Sequence, residues 1–465
     1  MADNTDKKSE LQETVSMFEQ MLESNRFSFL DENTFEKLIE HYTQVNSTDK
    51  ALKVCEIALE QHPYSLELIL HKANVLSLSG DFIEATNTIS RAEMLHPSDP
   101  DLLLLKGNML SMAGNYAEAI ECYESALTNS DEKDELMYNI GFSYQSLGRY
   151  ELAIQYYMKA LRLNMANEDA VYELAFCVEE ADSANKAVKF FEKIIDEDPY
   201  AALAWYNLGI IYNKIGDFEK AQEAFDYATL IDKHFGSAYF GQGSALMNLR
   251  KFDEAFQTFQ KALEFEGPDA EIYCYLGAAS EKMANYKEAI SFYKLAIDED
   301  EDYDDAWFGM GISLIKQEKW MEAIHFLRKA IALNEYSDEF WLALAEAEGN
   351  IGNDQSAMEA YEKACVINPD NPDLWLSWSM FYYTMDEAEK ALEIVLEGLS
   401  ELPDQIELIY RACAYCFACG KFQEGYHFLE TGIIIDYDKH TLLYDFFQDN
   451  ETRKTIAKFV NKLKD

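Results

Sequence analysis

The sequence predicts an all-α solenoid of stacked helical hairpins, and three observations predict it. Small residues recur every 34 positions with no insertion or deletion. The eight prolines fall in one phase of that recurrence. Within each unit the apolar residues follow the helical spacing i, i+3, i+4, i+7.

The recurrence is anchored at Ala51, Ala85, Ala119, Ala153, Ala187, Ala221, Ala255, Ala289, Ala323, Ala357, Ala391 and Gly425. Seven positions later come Ala58, Ala92, Ala126, Ala160, Ile194, Ala228, Ala262, Ala296, Ala330, Ala364, Gly398 and Gly432. Twelve positions before each anchor stand Ile39, Ala73, Gly107, Gly141, Ala175, Gly209, Gly243, Gly277, Gly311, Ala345, Ser379 and Cys413. Short side chains at these places let two helix axes approach, and a larger one would overpack the crossing at about 1–3 kcal/mol. Pro63, Pro97, Pro100, Pro199, Pro268, Pro369, Pro372 and Pro403 mark the turn between units. Proline lacks a backbone donor and clashes with the preceding helical turn, so it is excluded from helix interiors. Within a unit, Ala202 to Lys214 reads as a first helix, Gly216 breaks it, and Asp217 to Ile231 reads as a second. Glycine recurs at that break (Gly80, Gly114, Gly148, Gly216, Gly352, Gly420), where a left-handed residue ends a helix.

Trp205, Leu208, Gly209, Tyr212, Ala221, Phe225 and Ala228 follow the pattern W-x2-L-G-x2-Y, A-x3-F, A; Lys233 replaces its proline. Trp341, Leu344, Ala345, Tyr361, Ala364 and Pro369 follow it again. The chain thus resembles the tetratricopeptide-repeat (TPR) family, an α-α superhelical TPR solenoid. The register gives twelve units, 32–65, 66–99, 100–133, 134–167, 168–201, 202–235, 236–269, 270–303, 304–337, 338–371, 372–405 and 406–439. Before them, 1–31 holds a tail and a capping helix over 10–24, with Leu11, Val15, Phe18, Met21 and Leu22 on one face. After them, 440–465 holds two capping helices, Thr441 to Phe447 and Glu451 to Leu463, with Asn450 as N-cap of the second. Glycine at both Gly425 and Gly432 leads us to expect a loose last unit.

The resemblance implies a right-handed superhelix whose first helices line a concave peptide-binding face. Its register places Tyr138, Phe142, Tyr172, Phe176, Tyr206, Ile210, Phe240, Phe308 and Ile312 there, as an apolar stripe. An exposed apolar patch of that size marks an interaction site. Beside it run acids, among them Glu135, Asp169, Glu271, Asp305 and Glu339. They complement the dipoles of the first turns, and as an acidic rail they would select lysine or arginine in a ligand. One subclass of the family holds a chaperone C-terminal carboxylate with lysine and asparagine. Here Asn74 and Asn108 have Leu70 and Leu104 as companions, so no such clamp is assembled. An asparagine ladder is likewise interrupted: Asn139 and Asn207 alternate with Leu105, Glu173 and Gly241.

The chain has 39 basic and 85 acidic residues, a formal net charge of −46. That opposes binding to nucleic acid, which needs clustered cations, and to anionic membranes. It favours apolar or basic protein and peptide partners. Met1 to Ser9 has no apolar core of a secretory signal, and no apolar run reaches the length of a membrane span. Eight cysteines without disulfide spacing fit a cytoplasmic location.

Candidate chemistry is thin. Cys413, Cys416 and Cys419 imitate an iron–sulfur run without its fourth cysteine, and lie at helical core positions where cysteine packs as a small apolar residue. The acidic run Asp298 to Asp305 lacks the glycine and terminal glutamate of a calcium loop and reads as a solvated turn. No phosphate-binding loop, nucleophile elbow or H-E-x-x-H occurs, and the repeats leave no chain for a catalytic domain. We expect a protein-binding scaffold, not an enzyme, without metal or cofactor. The alternative is a regulatory or substrate-presenting subunit of an enzyme on another chain, such as a protein-modifying transferase. The alternative to capping for the basic last helix, with Arg453, Lys454, Lys458, Lys462 and Lys464, is that it folds back onto the acidic groove and competes with partners.

Overall fold

The computed structural model describes residues 14–22, 24, 27–181, 183–446, 453 and 460. The chain divides into two compact units, 1–233 and 234–465. The described residues are helices and connecting turns, with no strand among them. The first unit holds α1 (helical over 14–22), α2 (Glu32–Gln44), α3 (Thr48–Gln61), α4 (Leu66–Leu78), α5 (Phe82–Leu95), α6 (Pro100–Met112), α7 (Tyr116–Ala126), α8 (Lys133–Ser146), α9 (Tyr150–Leu163), α10 (Glu168–Glu180), α11 (Ala184–Glu197), α12 (Ala202–Lys214) and α13 (Phe218–Ile231). The second holds α14 (Gly236–Asn248), α15 (Phe252–Glu266), α16 (Ala270–Lys282), α17 (Tyr286–Glu299), α18 (Asp304–Ile315), α19 (Trp320–Leu333), α20 (Asp338–Asn350), α21 (Asp354–Ile367), α22 (Pro372–Thr384), α23 (Ala388–Glu401), α24 (Ile406–Ala418) and α25 (Phe422–Ile435).

From α2 onward the even-numbered helix is the first of each hairpin and the odd-numbered one the second. Within each unit every even helix touches the next even helix as well as its sequence neighbours. Among the described residues of α3 to α25, odd helices make few such contacts, α9 with α11 being the exception. The even helices therefore form the crowded inner layer of each unit, and the odd helices spread along the outside. This asymmetry comes from the small residues twelve positions before each anchor. A Cβ added at Gly209 would stand 2.7 Å from the Phe225 ring, and one at Gly277 2.7 Å from Tyr293. Real Cβ atoms do not approach so closely, so the ring of the second helix lies directly on the backbone of the first. Phe225, Phe259 and Tyr293 are buried, as are Ala221, Ala255 and Ala289 beside them.

Among the described residues the turn between the two helices keeps one conformation. Its left-handed residue is glycine in six hairpins (Gly80, Gly114, Gly148, Gly216, Gly352, Gly420). In five others the same phase falls on Asn46, Arg250, Ala284, Glu318 and Asp386, each with φ between 58° and 63°. The hairpin geometry imposes the angle, and those side chains carry its strain, about 1–2 kcal/mol against a right-handed residue. Ala284→Gly should therefore raise stability by about 0.5–1 kcal/mol, after allowance for glycine's freer unfolded chain. Thermal denaturation checks this, and a lowered melting temperature would refute it.

Successive hairpins are tied by polar bonds that repeat with the register. The indole Nε1 of Trp205, Trp307, Trp341 and Trp375 donates to the carbonyl oxygen of Pro199, Glu301, Glu335 and Pro369, at 2.8–3.1 Å. Asn164 donates to Asp134 at 2.9 Å, and Asn334 to Asp304 at 2.9 Å, each linking the end of one hairpin to its start. Within the acidic run, Asp304 and the Glu301 carbonyl are both used this way.

The two ends depart from the pattern in instructive ways. Phe18 of α1 is buried with Phe35, Leu38 and Val54 and covers the first hairpin; Leu11 lies outside the described residues. The expected looseness of the last hairpin is not found. Phe417 fills the space beside Gly425, and Tyr410 the space beside Gly432, so α25 runs unbroken. The helix expected over Thr441 to Phe447 is instead a 3-10 segment, Asp438–Asp445. It starts earlier because Asp436 accepts from the backbone N–H groups of Asp438 and Lys439, which tightens the chain there. Of the expected last helix only Arg453 and Val460 are described; Lys454, Lys458, Lys462 and Lys464 lie outside the described residues. Arg453 donates to the Tyr444 carbonyl at 2.7 Å, and Val460 is buried among Ile406, Tyr410, Leu429 and Leu443. Val460 thus packs on the final hairpin and Arg453 bonds the 3-10 segment, while the basic residues expected to fold back onto the groove lie outside the described residues.

Candidate functional site

The inner face is built from even helices, and on it the side chains of the apolar stripe meet different fates. In the first unit Tyr172 (α10) is 55% exposed, and Phe142 (α8) and Phe176 (α10) are each 38% exposed. Phe176 makes an edge contact with Tyr150, centroids 6.1 Å apart. Tyr138 is half-buried against Tyr157. Tyr206 and Ile210 (α12) correct the expectation of an open stripe. Both are buried, Tyr206 tilted on Phe225 at 5.8 Å, because the residues flanking them on α12 and α13 are packed around them. In the second unit Phe240 is half-buried between Phe259 and Tyr275, and Phe308 stacks on Phe340 at 4.7 Å. Ile312 is partly buried against the core around Leu314 and Phe340. Three of the nine residues thus remain open, all in the first unit.

Glu135, Asp169, Glu271, Asp305 and Glu339 are all exposed in the first turns of their helices. Tyr138 on α8 lies near two carboxylates of α10. Burial raises its hydroxyl pKa, and the nearby charges of Asp169 and Glu173 raise it further. Of the interrupted ladder, Asn207 serves internal packing: it is buried and donates to the Met165 carbonyl at 3.0 Å. At the clamp position, Asn108 accepts from the Tyr123 hydroxyl at 2.8 Å.

At the start of the first unit the stripe's register falls on Glu36, which faces Glu67. Its pKa is pushed up to about 7, first by burial, then by the shared hydrogen bond and charge of Glu67, then by Glu32 and Glu40. A carboxyl whose folded-state pKa is raised costs nothing below its ordinary value of 4.5 and costs fully once ionised above about 7. Glu36→Gln should therefore stabilise the chain at pH 8, by about 1 kcal/mol once solvent screening is allowed for. It should leave stability near pH 4 unchanged. Melting curves at the two pH values check this, and an equal shift at both would contradict it.

The second unit presents a cleft of about 460 Å³ to which the sequence pattern gave no pointer. Glu346, Leu376, Met380, Met385, Phe381 and Arg411 contribute to its walls. A signal does exist: Glu346 and Met380 stand in the register of Phe142 and Phe176, six repeats later. Arg411 donates to the Leu376 carbonyl and the Tyr415 hydroxyl, and its guanidinium lies 4.9 Å from the Phe446 ring.

Cys413 and Cys416 are buried in the final hairpin, and burial raises both thiols, Cys416 to about 11. Neither is poised as a thiolate. No helix among the described residues is long and apolar enough to cross a membrane.

Models of the tetratricopeptide repeat match residues 98–166, 138–202, 202–235, 236–267, 270–303 and 338–380, more than half of the chain together. The chain belongs to the tetratricopeptide-repeat family. No curated protein sequence matches it. Among solved structures it is similar to the APC/C hetero-tetramer Cut9-Hcn1, at 14% identity and TM-score 0.46, over 81% of this chain and 95% of that one. It is also similar to YrrB, described as a TPR protein with an unusual peptide-binding site, at 23% identity and TM-score 0.33, over 39% and 93%. A third is MamA, at 20% identity and TM-score 0.33, over 36% and 91%.

Proposed function

We propose that this TPR chain is a non-catalytic scaffold whose inner helical faces hold a peptide segment of a protein partner. The observation that supports it is the contrast along the two registers of the apolar stripe. Most inner-face side chains are consumed by packing, while Phe142, Tyr172 and Phe176 stay open on α8 and α10. Large aromatics left uncovered on a rigid layer are what a binding surface requires, because their burial by a partner supplies the association energy. The rigid layer lowers the ordering cost on the scaffold's side.

The test is affinity capture with the tagged full-length chain from native lysate, followed by quantitative mass spectrometry. A scaffold should retain one or more proteins at near-stoichiometric yield. Recovery of nothing above the tag-only control would count against the reading.

A further inference from the structure

We infer that the open aromatic patch of the first unit is a docking site for a basic segment: a stretch of partner chain with aromatic or aliphatic side chains next to lysine or arginine. The inference rests on the scaffold reading and says where the partner sits and what chemistry selects it.

Exposure locates the site. Phe142, Tyr172 and Phe176 lie on two neighbouring even helices, α8 and α10, which touch each other. On the next even helix, α12, the positions that cover such rings in the second unit carry none. Phe308 is covered by Phe340, 32 positions on, and Phe240 by Tyr275, 35 positions on. The equivalents for Tyr172 are Ala204 and Asn207, too short or too polar to lie over a ring.

Charge selects the occupant. α10 carries Glu168, Asp169, Glu173, Glu179 and Glu180 and no cation. α8 adds Asp134 and Glu135 and has one cation, Lys133, at its first residue. The carboxylates are next to the aromatics: Asp169 and Glu173 stand three residues before Tyr172 and Phe176 on α10, the spacing of side-chain neighbours on a helix surface, and both also act on the Tyr138 hydroxyl of α8. Only part of this charge is met internally, Asp134 by Asn164, Glu173 by Gln145 and Glu179 by Lys214. Aromatic faces rimmed by carboxylates attract cations twice, through the rings and through the acids. A second copy of this chain is a poor occupant, since each copy carries a net charge of −46.

The test uses the full-length chain and a phage-displayed random dodecapeptide library. Selected peptides should share an apolar pair flanked by lysine or arginine. A fluorescent synthetic peptide of that consensus should bind Tyr172→Ser/Phe176→Ser at least ~10-fold more weakly. These side chains are exposed, so circular dichroism should be unchanged. Glu135→Gln/Asp169→Asn, which keeps the rings, should weaken binding about 3–10-fold and flatten its salt dependence. A consensus without basic residues, no consensus, or one bound equally by the ring variant overturns the site. So does a patch-dependent dimer in sedimentation. A consensus that survives the ring variant would leave the scaffold reading standing while removing this location for it.

Discussion

Arg328→Met is expected to lower stability by about 3 kcal/mol, whereas Glu348→Leu is expected to be neutral or stabilising. The asymmetry comes from one buried carboxylate. Glu348 has no exposed surface, accepts from Arg328 at 2.6 Å and from Asn353 at 2.7 Å, and sits in a core of apolar side chains. In the same register other hairpins place Leu76, Leu110, Leu246 and Leu314. Removing the guanidinium leaves a charge in the core with one amide for company, and breaking a buried pair by deleting one partner costs about 3–5 kcal/mol. The lower end applies because Arg328 is itself 61% exposed at its side chain, so water reaches the vacated position. Removing the carboxylate strands nothing, since both Arg328 and Asn353 can turn to solvent. Urea denaturation with hydrogen exchange across α19 to α21 would measure both. An array of repeats need not unfold in one step, and exchange localises the effect. If Glu348→Leu proved the more damaging of the two, the ion pair would itself be the source of stability, contrary to this account.

Much of this architecture was legible because each hairpin repeats the same solution to the same packing problem. The positions of helices and turns could be read from small residues and prolines, which report close approach and chain reversal directly. Three things were not legible for physical reasons. The left-handed turn residue was visible only where it was glycine; at Arg250, Ala284 and Glu318 the backbone is forced by its surroundings, and the residue type carries no mark of it. Exposure along the inner face was not fixed by register, since Tyr172 and Tyr206 share a phase yet one is open and the other buried. What decides is the reach of neighbouring side chains. The apparent weakness of the last hairpin vanished because Phe417 and Tyr410 come from the facing helix, in positions the 34-residue signature does not inspect.

The first hairpin breaks the small-residue rule for a packing reason that yields the last prediction. Sixteen positions after each inner small residue stands its partner on the second helix. Glycine is paired with an aromatic at Gly107/Tyr123, Gly141/Tyr157, Gly209/Phe225, Gly243/Phe259 and Gly277/Tyr293, where the ring lies on the glycine backbone. Elsewhere the pair is Ala73/Ile89, Ala175/Phe191, Gly311/Leu327, Ala345/Tyr361, Ser379/Val395, Cys413/Leu429 and, fully inverted, Ile39/Cys55, all buried. The helices thus specify a summed volume at the crossing rather than a small residue in a particular place. Gly243→Ile should clash with Phe259, whose ring would lie within 2.8 Å of the new Cβ, and Phe259→Cys should leave a cavity worth about 3–5 kcal/mol. Combining them imports the first hairpin's own pair. The double variant should be more stable than the sum of the single effects by about 1–3 kcal/mol, a coupling expected only of residues in direct contact. Strict additivity in a double-mutant cycle would mean that each site answers to its surroundings and not to the other, and the volume rule would not hold.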